Sequence, residues 1–350
     1  MTALRLLTPD AQYPDDGVIE RQTTGEGVIW SIHRIRRVQD LPPGALGECD
    51  AMVVWHELAL DRAVIDEMRR CRIIVRAGVG FDHIDLEAAA DAGIPVCNTP
   101  DYGTSEVADH AIGLMLALRR GIVGYHRALT TDPVAGFYHG GAPLVRRVRG
   151  TTFGIVGLGR IGTATAIRAK AFGMRVVAYD PYISRGTEIA LGVERVESLP
   201  ALLQQSDVVS LHCPLTVETR NLINAETLPL MKREAILINT ARGAVIDIPA
   251  LIDALHLGTI AGASIDVLPT EPPRREDEVA QAYRDSANPL IGNRLILTPH
   301  AAWYSPESQS DARRLSVETA MLYLLGGKLR NLVNAPTKLR HAVVTANHVT

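Results

Sequence analysis

Three side chains suited to proton transfer and anion binding stand just past apolar runs that read as strands: Arg242 after ILINTA, Glu271 after SIDVLPT and His300 after LILTP. A histidine titrates near neutrality, so it can deliver or accept a proton under ordinary conditions. A carboxylate beside it favours the charged ring, and an arginine fork can grip an anion while polarising an adjacent carbonyl. Open parallel sheets bind ligands at the carboxyl ends of their strands, which is where the pattern puts all three residues.

A second signal lies upstream. Residues 157–162 read Gly-Leu-Gly-Arg-Ile-Gly, between the apolar run TFGIV and the helical pattern ATAIRAKAFG. In that context Gly157 permits a tight turn, Gly159 lets the backbone approach a pyrophosphate, and Gly162 lets helix and strand pack closely. The helix N-terminus then faces the phosphate charge. Asp180, 18 positions beyond Gly162, closes the next apolar run, MRVVAYD. A carboxylate there can accept from both ribose hydroxyls and would repel a 2′-phosphate, so NAD(H) is the expected cofactor.

Positioning these residues takes more than one core. A chain of 350 residues points to two domains. Residues 3–100 alternate short β-rich runs (ALRLLTP, DAMVVWHE, RIIVRAG, IPVCNTP) with helical ones (DRAVIDEM, DLEAAADAG). A second βαβ series runs through TFGIVGL, MRVVAYD, DVVSLHCP, AILINTA, GASIDV and RLILTP. Between the two, a helix apolar nearly all round begins at Thr104 and Ser105 and runs to Arg120, as if buried between domains or subunits. Residues 121–150, glycine-rich and carrying the basic run Val145–Arg149, read as a connecting or dimer-contact segment. Asp247 and Pro249 open a helix that Gly258 ends, and Ser305, Pro306 and Glu307 open a long one ending at Gly326 and Gly327. That last helix follows the second sheet and can pack back onto the first domain.

With 47% hydrophobic and 21% charged residues and a net charge of -3, the composition is that of a globular protein with no general attraction to nucleic acid or anionic membrane. Cys49, Cys71, Cys97 and Cys213 form no CxxC pair and no zinc-like spacing, so neither a metal nor a redox role is expected of them, and a reducing cytoplasm is the simpler setting. The N-terminal residues lack the pattern of a signal peptide, and no apolar stretch reaches the length of a membrane span, so export and membrane insertion are not expected.

The runs GLGRIG, NTARG, DVLPTEPP and TPHAAW, in this order, resemble the D-isomer-specific 2-hydroxyacid dehydrogenases over about residues 50–330. Within that family, AKAFGMRVVAYDPYISRG, LHCPLT and TPHAAWYS are similar to the C-terminal-binding-protein (CtBP) corepressor branch, and INTARGAVIDIPAL and IDVLPTEPP to the phosphoglycerate dehydrogenases. The resemblance implies that Arg242 binds the substrate's carboxylate and carbonyl, that Glu271 hydrogen-bonds His300, and that His300 is the acid/base. A hydride would pass between C4 of the nicotinamide and C2 of a small 2-oxo or 2-hydroxy acid. It further implies Asp266 at the nicotinamide carboxamide. Val156, Gly157, Leu158, Gly159, Arg160, Ile161, Cys213, Pro214, Thr219, Thr240 and Ala241 would line the cofactor groove, with Thr104 touching the cofactor.

RAGVGFDHID resembles the loop that offers backbone amides, here those of Val79 and Gly80, to the substrate carboxylate. Arg76 either adds a second cationic contact, as in the corepressor branch, or pairs internally within its strand. Trp303 either lines the substrate side-chain pocket or is a core aromatic of the last helix. His56 either faces the cleft or is structural, and His83 and His212 are read as structural, with no partner expected near His212.

The expected fold is α/β: two doubly wound parallel-sheet domains, Rossmann-like and flavodoxin-like, with the active site in the cleft between them. Residues 1–103 plus 300–330 form the substrate-binding domain, 104–299 the NAD-binding Rossmann domain and 331–350 a C-terminal surface tail. By analogy the chain forms a homodimer through the helix at 105–120 and the segment after it. Other readings are an NAD(H)-sensing, CtBP-like interaction protein with little turnover, and a phosphite dehydrogenase-type enzyme. Formate dehydrogenase is disfavoured, because the histidine there resembles one paired with glutamine. An insertion near Arg274–Asn288 is expected to cover the active-site mouth or extend the dimer surface, which leaves the substrate open.

Overall fold

The structure, a computed structural model, describes residues 3–284 and 288–340. The chain divides into two compact units, 1–103 with 305–350, and 104–304. The return to the first unit therefore begins at Ser305, later than the expected position 300.

The first unit holds five parallel strands, β1 (Leu4–Thr8), β2 (Val28–Ile32), β3 (Ala51–Val54), β4 (Ile73–Arg76) and β5 (Val96–Asn98), in the order β2-β1-β3-β4-β5. This is the flavodoxin-like winding. Every residue of β3 and β4 is buried, as the uninterrupted apolar runs AMVV and IIV require of strands covered on both faces. Asp61 and Asp85 start the helices Arg62–Glu67 and Leu86–Asp91 by accepting from Val64 N (3.0 Å) and Ala88 N (2.8 Å). The long helix Pro306–Gly326, opened by a capping box on Ser305, packs on β3 and β4.

Two elements of this unit went unread: the helix Val18–Thr24, whose one buried residue is Glu20, and the half-exposed strand β2 that follows it. The tail also needs correcting. Leu332 bridges to Cys97, Val96 N donates to Asn334 Oδ1 (2.8 Å), and Arg340 donates to Ala92 O (2.7 Å) and Met68 O (2.6 Å). Through residue 340 the segment is thus stitched to β5 and to two helix ends of the first unit, mostly by polar contacts that leave no hydrophobic period to read; residues 341–350 lie outside the described residues.

The second unit holds β6 (Thr152–Val156), β7 (Arg175–Tyr179), β8 (Glu194–Arg195), β9 (Val208–Leu211), β10 (Ile236–Asn239), β11 (Gly262–Ile265) and β12 (Leu295–Leu297). Their order, β12-β11-β10-β9-β6-β7-β8, is that of a Rossmann sheet, and the winding reverses between β6 and β9. Alternate residues feed two cores: Val156, Val209, Leu211, Leu237 and Ile265 on one face, and Phe153, Ile155, Val208, Ile236 and Ile238 on the other. The helix Thr104–Arg119 contributes Ala111, Ile112, Leu114, Met115 and Leu118 to the second core and packs on the helix Arg160–Ala171. Its apolar girth therefore serves this unit's own layer.

Residues 121–150 contain a helix that was not expected, Ile122–Thr131, which buries only Gly124. The insertion forms the helix Glu278–Arg284, with Ala282 buried, Val279 part of the sheet's core, Tyr283 packed against it and the Tyr283 hydroxyl donating to Leu295 O (3.4 Å). Its apolar face is spent inside the unit. Asp285–Ala287, within the insertion, lie outside the described residues. Among the described residues no helix is long and apolar enough to cross a membrane.

Candidate active site

Parallel register brings the chemical residues to one edge. Asn239, Ile265 and Leu297 are paired across β10, β11 and β12, and Arg242, Glu271 and His300 follow these strand ends. After β10, the buried Asn239 side chain shapes the turn, accepting from Ala241 N (3.0 Å) and donating to Arg242 O (2.9 Å). The next residue must be glycine: a Cβ on Gly243 would lie 1.9 Å from the carbonyl carbon of Leu268. The Arg242 turn therefore lies directly against the segment leading to Glu271.

His300 Nδ1 sits 2.5 Å from Glu271 Oε2, and the other oxygen of Glu271 accepts from Leu268 N (2.7 Å). Both side chains are partly buried, 23% and 30% exposed, which spares the pair full competition from water. His300 itself adopts a left-handed backbone, φ 52°, a conformation that costs an L-residue roughly 1 kcal/mol and must be held from outside. Asp266 does the holding. Its carbonyl accepts from His300 N (2.8 Å), and its buried carboxylate accepts from the Thr298 hydroxyl (2.5 Å), Ala301 N (3.0 Å) and Ala302 N (2.9 Å).

The glycine-rich turn lies at the switch between β6 and β9. Gly157 has φ 92°, and a Cβ there would lie 2.8 Å from Cys213 N; one on Gly162 would lie 2.0 Å from Gly157 O. At Gly159, in contrast, a Cβ would meet nothing within 4 Å, so the missing side chain leaves open space at the helix N-terminus. Asp180, just beyond β7, accepts from Leu158 N (2.8 Å) and Tyr182 N (2.9 Å). Beyond β9, the Thr219 hydroxyl donates to Pro214 O (2.6 Å) and accepts from Thr216 N (2.8 Å), closing the Pro214–Thr219 loop. Thr240 Oγ1, at the end of β10, is buried without a hydrogen-bond partner among the described residues. Open space over the helix N-terminus, a carboxylate at the second strand and an unsatisfied hydroxyl together fit a bound dinucleotide. Burial pushes the Cys213 thiol up to about 11, which keeps it protonated.

The other expected site residues fall as follows. Val156 ends β6, Arg160 and Ile161 open the helix after it, Ala241 lies in the Arg242 turn, and Thr104 is the first residue of its helix. In the first unit, the Arg76 guanidinium is buried, donates to Ala77 O and lies in the electrostatic field of Asp10. Val79 O accepts from the Asn98 amide (2.7 Å), fixing the loop that continues through Gly80. Trp303 is half-buried and edge-on to Tyr304, with ring centroids 5.7 Å apart. His212 does have a partner, Ser210 Oγ at 2.9 Å. The sequence reading missed His110 and Thr298, which adjoin Asp266: His110 Nε2 lies 3.0 Å from Thr298 Oγ1.

The Rossmann winding and the glycine turn with its acid define a dinucleotide-binding α/β protein, with a histidine–carboxylate pair at the carboxyl edge of the same sheet. Residues 112–302 match the family description "D-isomer specific 2-hydroxyacid dehydrogenase, NAD binding domain". The chain belongs to the D-isomer-specific 2-hydroxyacid dehydrogenases and carries that family's NAD-binding domain. It is 40% identical over 287 residues to a glyoxylate reductase of Korarchaeum cryptofilum, covering 82% of this chain and 83% of the reductase. It is 39% identical over 290 residues to the D-3-phosphoglycerate dehydrogenase of Methanocaldococcus jannaschii, covering 83% of this chain but only 52% of that protein, so the chain spans about half of that relative's length. Its fold matches that of a D-lactate dehydrogenase from Aquifex aeolicus, solved with NAD and lactic acid, with a TM-score of 0.79 and 30% identity over 95% of this chain and all of the other.

Proposed function

We propose that this protein is an NAD(H)-dependent D-2-hydroxyacid dehydrogenase, with His300 as the acid/base, Glu271 as its orienting partner and Arg242 as the substrate clamp. The observation that carries this reading is the 2.5 Å contact between His300 Nδ1 and Glu271 Oε2. It commits Nδ1 to the carboxylate and makes Nε2 the nitrogen that serves substrate oxygen. When bound, NAD(H) would supply or take the hydride. His300 gives a proton to the developing alkoxide, or takes one from the hydroxyl in the reverse direction. Arg242 holds the carboxylate in its planar fork and polarises the C2 carbonyl. By the family resemblance, Arg76 and the loop amides of Val79 and Gly80 are the first unit's candidates for binding a carboxylate, and Trp303 is the second unit's candidate for a substrate side-chain pocket.

Asp180 makes NADH the preferred cofactor over NADPH. The relatives named above are called reductases and dehydrogenases, which favours turnover over a purely NAD(H)-sensing interaction protein. A homodimer is part of the same proposal: in the segment 121–150 expected at the contact, the large apolar side chains Ile122, Val134, Phe137 and Tyr138 are 57%, 86%, 84% and 63% exposed. Four buried free cysteines suit the reducing cytoplasm.

The test is NADH oxidation on a panel of glyoxylate, hydroxypyruvate, phenylpyruvate, 4-methylthio-2-oxobutyrate and phosphorylated 2-oxo acids. At least one should turn over. His300→Gln should then lose roughly 10²–10⁴-fold in kcat while NADH binding persists. Arg242→Ala should also abolish turnover. Undiminished turnover in the His300 variant would refute the assignment.

A further inference from the structure

The residues that hold His300 in its left-handed turn do not end at Asp266. The Thr298 hydroxyl has one proton, and its 2.5 Å contact with Asp266 Oδ1 uses it. Toward His110 Nε2, 3.0 Å away, the same oxygen can then only accept, so His110 must carry its proton on Nε2. His110 Nε2 is also 3.7 Å from Asp266 Oδ1, directly behind the carboxylate that fixes Ala301 and Ala302. His110 belongs to the helix Thr104–Arg119, which is anchored in the second unit's core by Met115 and Leu118, whereas Thr298 and Asp266 follow β12 and β11.

We propose that His110 is a positioning residue for His300, fixing the turn that carries it by donating through Thr298 to Asp266. A chain of donors that polarise one another outweighs its separate links, and Thr298 lies only two residues from His300. Removing the His110 donor frees the Thr298 hydroxyl to rotate away from Asp266, and the His300 turn loses one of the contacts that fix its place. The effect falls on the proton-transfer step rather than on substrate affinity. The inference rests on the reading of His300 as the acid/base.

The experiment compares His110→Leu, which removes the donor, with His110→Gln, whose amide N–H reaches a similar point. In the Leu variant kcat should drop about 10-fold, with the KM for the 2-oxo acid within about 2-fold of wild type, and the Gln variant should recover most of the loss. Unchanged kcat in the Leu variant overturns the proposal. So does a Gln variant that is folded by thermal melt yet as slow as Leu. Nitrogen NMR of the imidazole rings separates this from failure of the functional reading, since it needs no turnover. It should find His110 protonated at Nε2 and the His300 resonance displaced in the Leu variant. A proton on His110 Nδ1 alone, or an undisturbed His300, refutes the positioning role even if no substrate is found.

Discussion

Glu271 commits both of its oxygens, one to His300 Nδ1 and one to Leu268 N, so its charge and its orientation are set together. Glutamine at this position can keep Leu268 N with its oxygen, but it then offers His300 Nδ1 an N–H that suits only the opposite ring tautomer, and it brings no charge to favour the imidazolium. A hydrogen bond to a charged group contributes about 1.5–3 kcal/mol, which converts to roughly a 10- to 150-fold loss of kcat for Glu271→Gln. The NADH dissociation constant should stay near wild type, because Glu271 lies on the loop after β11 and not on the glycine turn. Stopped-flow reduction of a turned-over 2-oxo acid checks this; a variant as fast as wild type would mean that the pair is ornamental. Arg242, Glu271 and His300 were legible because each follows an unbroken apolar run, and Asp180 because it closes one. His110 and Thr298 were not. They are 188 positions apart, both are ordinary residue types, and their partnership exists only once a helix is laid beside the ends of β11 and β12.

At the scale of elements, legibility tracked how each element earns its burial. The strands of both sheets are continuous apolar runs, and helices opened by Asp247 or Ser305 announce themselves through a cap. The helices Val18–Thr24 and Ile122–Thr131 start at Gly17 and Gly121 with no side-chain cap and bury one residue each, Glu20 and Gly124, so neither a cap nor a buried apolar face marks them. Strand β9 shows a different kind of hidden cost. It leads into the partly buried His212, and desolvation pushes this imidazole down to about 4 from an ordinary value of 6.5. The unfolded chain therefore takes up this proton first as the pH falls. The stability contributed by keeping His212 neutral is intact above about pH 6.5 and declines down to about pH 4, by at most about 3 kcal/mol. Urea titrations at pH 7.5 and 4.5 should show His212→Asn losing less stability than wild type across that interval. Equal losses in the two proteins would place the acid sensitivity elsewhere.

Across the whole molecule, the demanding feature is that the first unit is closed by residues nearly 300 positions apart in the chain. Arg313, on the helix Pro306–Gly326, donates to Glu20 (2.7 and 2.9 Å) and Asp15 (2.7 and 2.8 Å), and its guanidinium lies 3.6 Å from the centre of the Tyr13 ring. The side chains of Arg313 and Glu20 are 5% and 3% exposed, so neither can fall back on water if the other is lost. That explains why the helix Val18–Thr24 needs no apolar stripe: a charge pair, not hydrophobic burial, ties it to the distant helix. Truncating one member of a buried pair costs more than the pair contributes, about 3–5 kcal/mol, because the remaining charge is stranded. Arg313→Ala should therefore melt the first unit ahead of the second, visible in calorimetry as a new low-temperature transition. If stranded charge is the cause, the double variant Arg313→Met with Glu20→Leu should regain most of the lost stability, since both charges leave together. If instead the double variant is no more stable than Arg313→Ala, the clamp works through packing on Tyr13 and the backbone around Asp15, and the charge itself is incidental.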